Sequence, residues 1–159
     1  MPVLTMICGL PGAGKTTLAK KLEKERGSLR LCADEWIVAL YGDDIARDRN
    51  KLYAVRDVVE ALQFDLTEKM LSRGLDVILE NGFWSRKERL MLRDRMVRLG
   101  AKTELIFLDV PRDILWSRLE SRNRNLPPAT FPVAEHELEE WTGMFEPPSA
   151  DENAKRITG

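Results

Sequence analysis

The chain lacks several features that would each have fixed its class. No apolar run approaches the roughly 20 residues of a membrane-crossing helix, and the first residues carry no basic-then-apolar leader pattern. A cytoplasmic protein with no membrane partner is therefore expected. Two cysteines, Cys8 and Cys32, and a single histidine, His136, are too few for a disulfide scaffold or a His/Cys metal centre. Both thiols fall at the ends of expected strands and read as small buried hydrophobes. His136 lies among glutamates on a polar helix and carries no expectation of catalysis. Charge of either sign is scarcely in excess: the net value is −1, so no global basic field would draw in a polyanion. Internal repeats, low-complexity segments and linkers are absent. The 159 residues, 43% apolar and 32% charged, fit one globular domain spanning 1–159.

What is present starts at residue 9. Gly9-Leu10-Pro11-Gly12-Ala13-Gly14-Lys15-Thr16 fits G-x-x-x-x-G-K-[ST], with a strand-like apolar run (Val3 to Cys8) before it and a helix-patterned run from Thr17 to Glu25 after it. Glycines let such a loop fold into a concavity lined by N–H groups, and the helix N-terminus adds partial positive charge. The motif predicts triphosphate binding by Gly9 to Thr17, with Lys15 reaching the β- and γ-phosphates and Thr16 ligating Mg²⁺.

Further along, strand and helix patterns alternate. Strands are expected at Leu29 to Cys32, Asp76 to Leu79 and Thr103 to Val110, with Lys155 to Ile157 as a short edge strand. Helices are expected at Trp36 to Tyr41, Lys51 to Arg73 (apolar face Leu52, Val55, Val59, Leu62, Leu66), after Ser85 to Leu99 (Leu92, Met96 and Leu99 inward), from Pro111 to Arg124, and from Ala134 to Phe145. Ser85 and Glu88 fit a capping box, and Asp43 to Asn50 reads as an exposed loop or a poorly formed helix. Such alternation predicts an α/β fold of three layers, a parallel sheet of four to five strands flanked by helices, with ligands across the carboxyl ends of the strands. Lys15, Asp34, Glu80 and Asp109 all fall at or just past those ends.

A phosphate loop alone does not separate a kinase from a GTPase, motor or transporter ATPase. A base-reading N-K-x-D is absent, and the chain has no room for the extra modules of an oligomeric motor. Asp34, one loop across from the phosphates, suits a general base for an attacking hydroxyl; the alternative is a helix N-cap. Its neighbour Glu35 is expected to point away. Glu80 suits a carboxylate holding Mg²⁺ through water or a substrate acceptor, and Asn81 and Arg86 suit substrate contacts. Arg118 and Arg122, four apart, share a helix face and with Arg124 suggest a lid (about 112–132) that closes over the triphosphate; a solvated face pairing with Glu120 is the alternative. The helix from Arg86 to Arg98 is rich in arginine, but interleaved acids make it read as a solvated surface.

Taken together, GLPGAGKTTLA (Gly9 to Ala19), Asp34 within CADEW, VILENGFWSRKER (Val77 to Arg89), RLESRNR (Arg118 to Arg124) and the closing TFPVAEHELEEWTGMFEPPSADE (Thr130 to Glu152) resemble the small P-loop kinases grouped as AAA_33 or predicted-kinase domains, which are related to zeta toxins, chloramphenicol phosphotransferase and polynucleotide kinase domains. The resemblance covers nearly the whole chain. It implies phosphoryl transfer from ATP to a hydroxyl, with Asp34 at the base position and Arg118 and Arg122 in the lid. The family commonly has Asp where this chain has Glu80. The expected function is an ATP- and Mg²⁺-dependent kinase of a small-molecule hydroxyl. The alternatives are a nucleic-acid 5′-hydroxyl kinase and a nucleotide-binding regulatory module with slow hydrolysis. Acceptor identity and oligomeric state are not specified by these residues.

Overall fold

Strand β1 (Val3–Cys8) is hydrogen-bonded on both sides, to β3 (Val77–Gly82) and to β4 (Lys102–Asp109), both parallel, with a register shift against β3 between Met6 and Cys8. Two shorter strands, β2 (Leu29–Leu31) against β3 and β5 (Lys155–Thr158) against β4, complete an all-parallel sheet of order β2-β3-β1-β4-β5. The computed structural model describes residues 1–159. The pleat sends alternate side chains to opposite faces. Leu4, Met6 and Cys8 enter one core cluster, while Ile7 enters another on the far side.

Helices cover both faces, as an all-parallel sheet requires. On the first face lie α3 (Arg49–Leu71), through Phe64 and Leu71, and α4 (Arg86–Val97), through Leu92 and Met96. On the second lie α1 (Lys15–Arg26), α5 (Arg112–Arg124) and α6 (Glu135–Met144), through Ala19, Leu22, Leu115, Leu119, Leu138 and Trp141. A third, smaller cluster joins α2 (Ala33–Tyr41) to α3 through Ile37, Leu52 and Val59, with Phe131 lying over it. The edge strand expected at Lys155 to Ile157 is present as β5.

At Asp43 to Asn50 the poorly formed helix is what occurs: a 3-10 turn occupies Asp43–Arg47, and Asp48 caps α3 by accepting from the Lys51 amide at 3.1 Å. Other local expectations need correction. Leu62 and Leu66 do not face inward but are 56% and 36% exposed, because the buried side of α3 runs through Val59, Gln63, Phe64 and Thr67. Leu99 lies past the end of α4 and is exposed. The capping box at Ser85 is half made. Ser85 Oγ accepts from the Glu88 amide at 3.0 Å, but the Glu88 side chain lines the cleft instead of reaching back. Cys8 and Cys32 are free and buried, and burial pushes both thiols up to about 12.

Candidate active site

The loop after β1 is tied down at both ends. Gly9 N donates to the Gly82 carbonyl at 3.0 Å, and Ala13 N donates to the Leu10 carbonyl at 3.2 Å. Gly12 and Gly14 sit at φ +84° and +97°, a region L side chains rarely adopt. At Gly12 a Cβ would also lie 3.0 Å from Leu119 Cγ and 3.1 Å from the Leu115 carbonyl, so the loop packs directly on α5. Leu10 and Ala13 are buried beneath it. No side chain caps α1 at Gly14, which leaves its first-turn amides available to an anion. Pro11, Gly12, Gly14, Lys15, Thr16 and Thr17 line a cleft of about 1040 Å³.

Lys15 opens α1 and folds back across the loop, its Nζ donating to the carbonyls of Gly9 at 3.0 Å and Leu10 at 2.9 Å. Burial pushes its pKa down to about 8, against the opposing pull of Asp34 and Glu80. Behind it Thr16 Oγ1 donates to Glu80 Oε1, and Glu80 Oε2 accepts from Arg30 Nη1 at 3.0 Å. Arg30 also grips both oxygens of Glu35 at 2.8 Å, and Glu35, expected to point away, lines the cleft. Burial disfavours the Arg30 cation, yet the bonds to Glu35 and Glu80 hold its pKa above the ordinary value. Thr16 and Glu80 offer only oxygen atoms, and no group of three or more His, Cys, Asp or Glu is placed to hold a metal ion. A hard cation that keeps most of its waters, such as Mg²⁺, fits this donor set, whereas a fully protein-caged metal does not.

Asp34 lies in the first turn of α2, not at its N-cap, which is Cys32. Its Oδ1 is ion-paired with Arg56 Nη2 from α3 at 2.7 Å, and it faces the cleft opposite Lys15. Arg118 and Arg122 enter from α5. Arg118 Nη1 donates to the Gly12 carbonyl and Nη2 to the Gly159 carbonyl, both at 3.3 Å. Arg122 Nη2 donates to the Phe131 carbonyl at 3.4 Å, and its buried Nε has no partner. Burial lowers the Arg122 pKa, with nearby Asp34 opposing. Asn81, at the end of β3, lines the cleft with both side-chain polar atoms buried and unpartnered.

Residues 4–148 match the AAA_33 family, described as an AAA domain. The chain belongs to the AAA_33 family. It is 32% identical over 114 residues to a shikimate kinase from Paracidovorax citrulli, and 27% identical over 125 residues to an adenylate kinase from Mesoplasma florum. Those alignments cover 67% and 74% of this chain but only 61% and 58% of the relatives, so this AAA_33 chain spans about three fifths of their length. Among solved structures, a sugar kinase from Janibacter sp. HTCC2649 superposes with a TM-score of 0.72 at 18% identity, covering 99% of this chain and 86% of that one. That likeness is one of fold: the three-layer P-loop kinase architecture.

Not every expected residue of this AAA_33 chain reaches the cleft. Arg86 does not line it. Its guanidinium is held on the outside by Asp151, by Ser149 Oγ and by Glu152 at 3.3 Å, which fixes the segment before β5. Asp109 pairs with Arg156 Nε at 2.6 Å and also lies outside the cleft. Arg124 is exposed and its nearest acid is Glu120 at 3.5 Å, the surface pairing weighed as the alternative. Along α4, Arg89 is buried on Glu152, and Arg95 is paired with Asp65 and Glu68. Conversely, Arg30, Arg56 and Glu60 are part of the site and were not assigned to it from sequence, and Glu88 lines the cleft beside Phe83 and Trp84. Arg30 alone left a mark there, as a charge inside the otherwise apolar run Leu29 to Cys32. No helix is long and apolar enough to cross a membrane.

Proposed function

We propose that the protein is an ATP- and Mg²⁺-dependent kinase that phosphorylates a hydroxyl of a small molecule. The observation that carries this reading is the meeting of Asp34, Lys15, Glu80, Arg118 and Arg122 around one cleft. The loop from Gly9 to Thr17 would bind the triphosphate, and Thr16 with Glu80 would hold Mg²⁺, directly or through water. The metal, when bound, neutralises charge on the β- and γ-phosphate oxygens. Asp34 would take the proton as the acceptor oxygen forms its bond to the γ-phosphorus, while the bond to the bridging oxygen breaks and ADP leaves. Lys15 would stabilise charge on the transferring group. Arg118 and Arg122 would do the same from a lid over about 112–132, closing the single domain 1–159. Asn81 would hydrogen-bond the acceptor. A nucleic-acid acceptor is disfavoured because three arginines of α4, Arg86, Arg89 and Arg95, are ion-paired within the chain and so are not free to track a backbone.

Incubation with ATP, Mg²⁺ and a mixed pool of hydroxyl compounds, read by mass spectrometry, should yield a phosphorylated product. Lys15→Ala should abolish it. Asp34→Asn should lower turnover by about 10²–10⁴-fold while ATP still binds. Full activity of Asp34→Asn would refute the base assignment. Tight ATP binding with no phosphorylated acceptor would favour the regulatory module instead.

A further inference from the structure

Past Asp34 the cleft is walled by two acids that no protein group answers. Glu60 projects from α3 and Glu88 from the first turn of α4, and both line the cleft. The cations acting on them are committed elsewhere, Arg56 to Asp34 at 2.7 Å and Arg89 to buried Glu152 at 2.6 Å, and Arg49, also on the cleft, is paired with Glu137 at 2.7 Å. Burial pushes Glu60 up to about 8, with Glu88, Asp57 and Asp34 adding to the rise and Arg56 opposing it. Burial also raises Glu88, with Asp57 adding and Arg89 opposing. The acids do not stand alone. Asn81, on the adjoining wall, holds an amide whose nitrogen and oxygen are both out of water and without partners.

Half-dry carboxylates without a counter-charge are costly, and the cost is relieved only by protonation or by a cation that arrives with a ligand. An anionic acceptor would add like charge to this wall. A neutral polyol would offer hydrogen bonds but nothing that favours the ionised form of either acid, whereas a cation answers both. Resting on the kinase reading above, we propose that the acceptor is a cationic amino alcohol or amino sugar, its ammonium seated between Glu60 and Glu88 and its hydroxyl presented to Asp34. Glu60 and Glu88 are then the specificity-determining residues, and Asn81 pairs with a further hydroxyl.

The test separates binding from turnover. The full chain, loaded with Mg²⁺ and a non-hydrolysable ATP analogue, is titrated calorimetrically with a panel of amino sugars and amino alcohols. Each is paired with its N-acetylated form, and the sugar acids of matching carbon skeleton are included. Turnover of the same panel with ATP is followed by mass spectrometry. At least one amine should bind tenfold or more tighter than its N-acetyl form, as expected for losing a hydrogen-bonded charge pair. Glu60→Gln and Glu88→Gln should each erase that preference while leaving affinity for the ATP analogue unchanged. If no amine outbinds its N-acetyl form, if sugar acids are preferred, or if both variants keep the preference, the proposal is wrong. An amine that binds selectively in wild type and is never phosphorylated would sustain the ammonium site between Glu60 and Glu88 and overturn the kinase reading on which its role as acceptor rests. Phosphorylation of a neutral or acidic acceptor with no amine preference would do the reverse.

Discussion

Replacing Arg89 with methionine would strand a carboxylate. In the native fold Arg89 is 1% exposed. Its Nε donates to Glu152 Oε1 at 2.6 Å, Nη2 to Glu152 Oε2 at 3.1 Å, and Nη1 to the Phe83 carbonyl at 2.8 Å. Methionine fills much of the volume but supplies no donor, so the buried Glu152 side chain keeps only Ser149 and the more exposed Arg86. Removing one partner of a buried pair costs about 3–5 kcal/mol. At roughly 2–4 °C per kcal/mol for a domain of this size, the melting temperature should fall by about 6–20 °C. Urea unfolding measures the loss directly. Hydrogen exchange should show the β5 amides, Lys155 to Thr158, losing protection before those of β1. Adding Glu152→Gln removes the stranded charge and should recover about 1 kcal/mol or more. The pH dependence has a definite sign. Burial alone would raise Glu152, but Arg89 and Ser149 bring it down from 4.5 to about 2. A depressed carboxylate stabilises the fold above its unfolded value and loses that contribution as pH falls from about 4.5 toward 2. Wild type should therefore weaken more steeply across that window than Arg89→Met. A single variant losing less than about 1 kcal/mol, or a double variant no more stable than the single, would refute the reasoning.

Two further outcomes are expected. Arg30→Met leaves Glu80 buried without its cation at 3.0 Å, so the variant should melt lower and need a higher Mg²⁺ concentration for half-maximal activity; an unchanged Mg²⁺ titration would sink the link between Arg30 and Glu80. Gly12→Ala puts a Cβ against Leu119 at φ +84°, costing about 1–2 kcal/mol in backbone strain alone, and ATP should protect it against thermal unfolding far less than it protects wild type.

The strands and the phosphate loop were legible because they rest on local signals. Val3 to Cys8 is a buried run ending in glycine, and a motif of eight residues has one mechanical meaning between a strand and a helix. Asp34 and Glu80 were legible for a related reason, since strand ends in a parallel sheet converge. Arg86 was misplaced because its partners, Ser149, Asp151 and Glu152, lie more than sixty residues away and no local pattern announces them. The inward face of α3 was misread at Leu62 and Leu66 because Gln63 and Thr67 occupy the buried stripe, an inversion that hydrophobic spacing cannot register. Glu88 was assigned to a cap that its backbone makes and its side chain does not. Glu60 had no signal at all: a glutamate on a long helix is ordinary until the cleft around it is known.

The central position of β1 has a consequence in time. It is made first among the strands, yet both of its partners come later; Val3 already leans on Asp76, 73 residues downstream. At synthesis rates of about 5–20 residues per second, that interval lasts roughly 4–15 s. Through it the VLTMIC segment has no native strand to pair with, and the loop that follows has neither β3 to anchor Gly9 nor α5 to pack against Gly12. The first of the five strands to be made is thus among the last to take its working shape. A newborn chain should be open to chaperone capture at β1 until β4 has emerged.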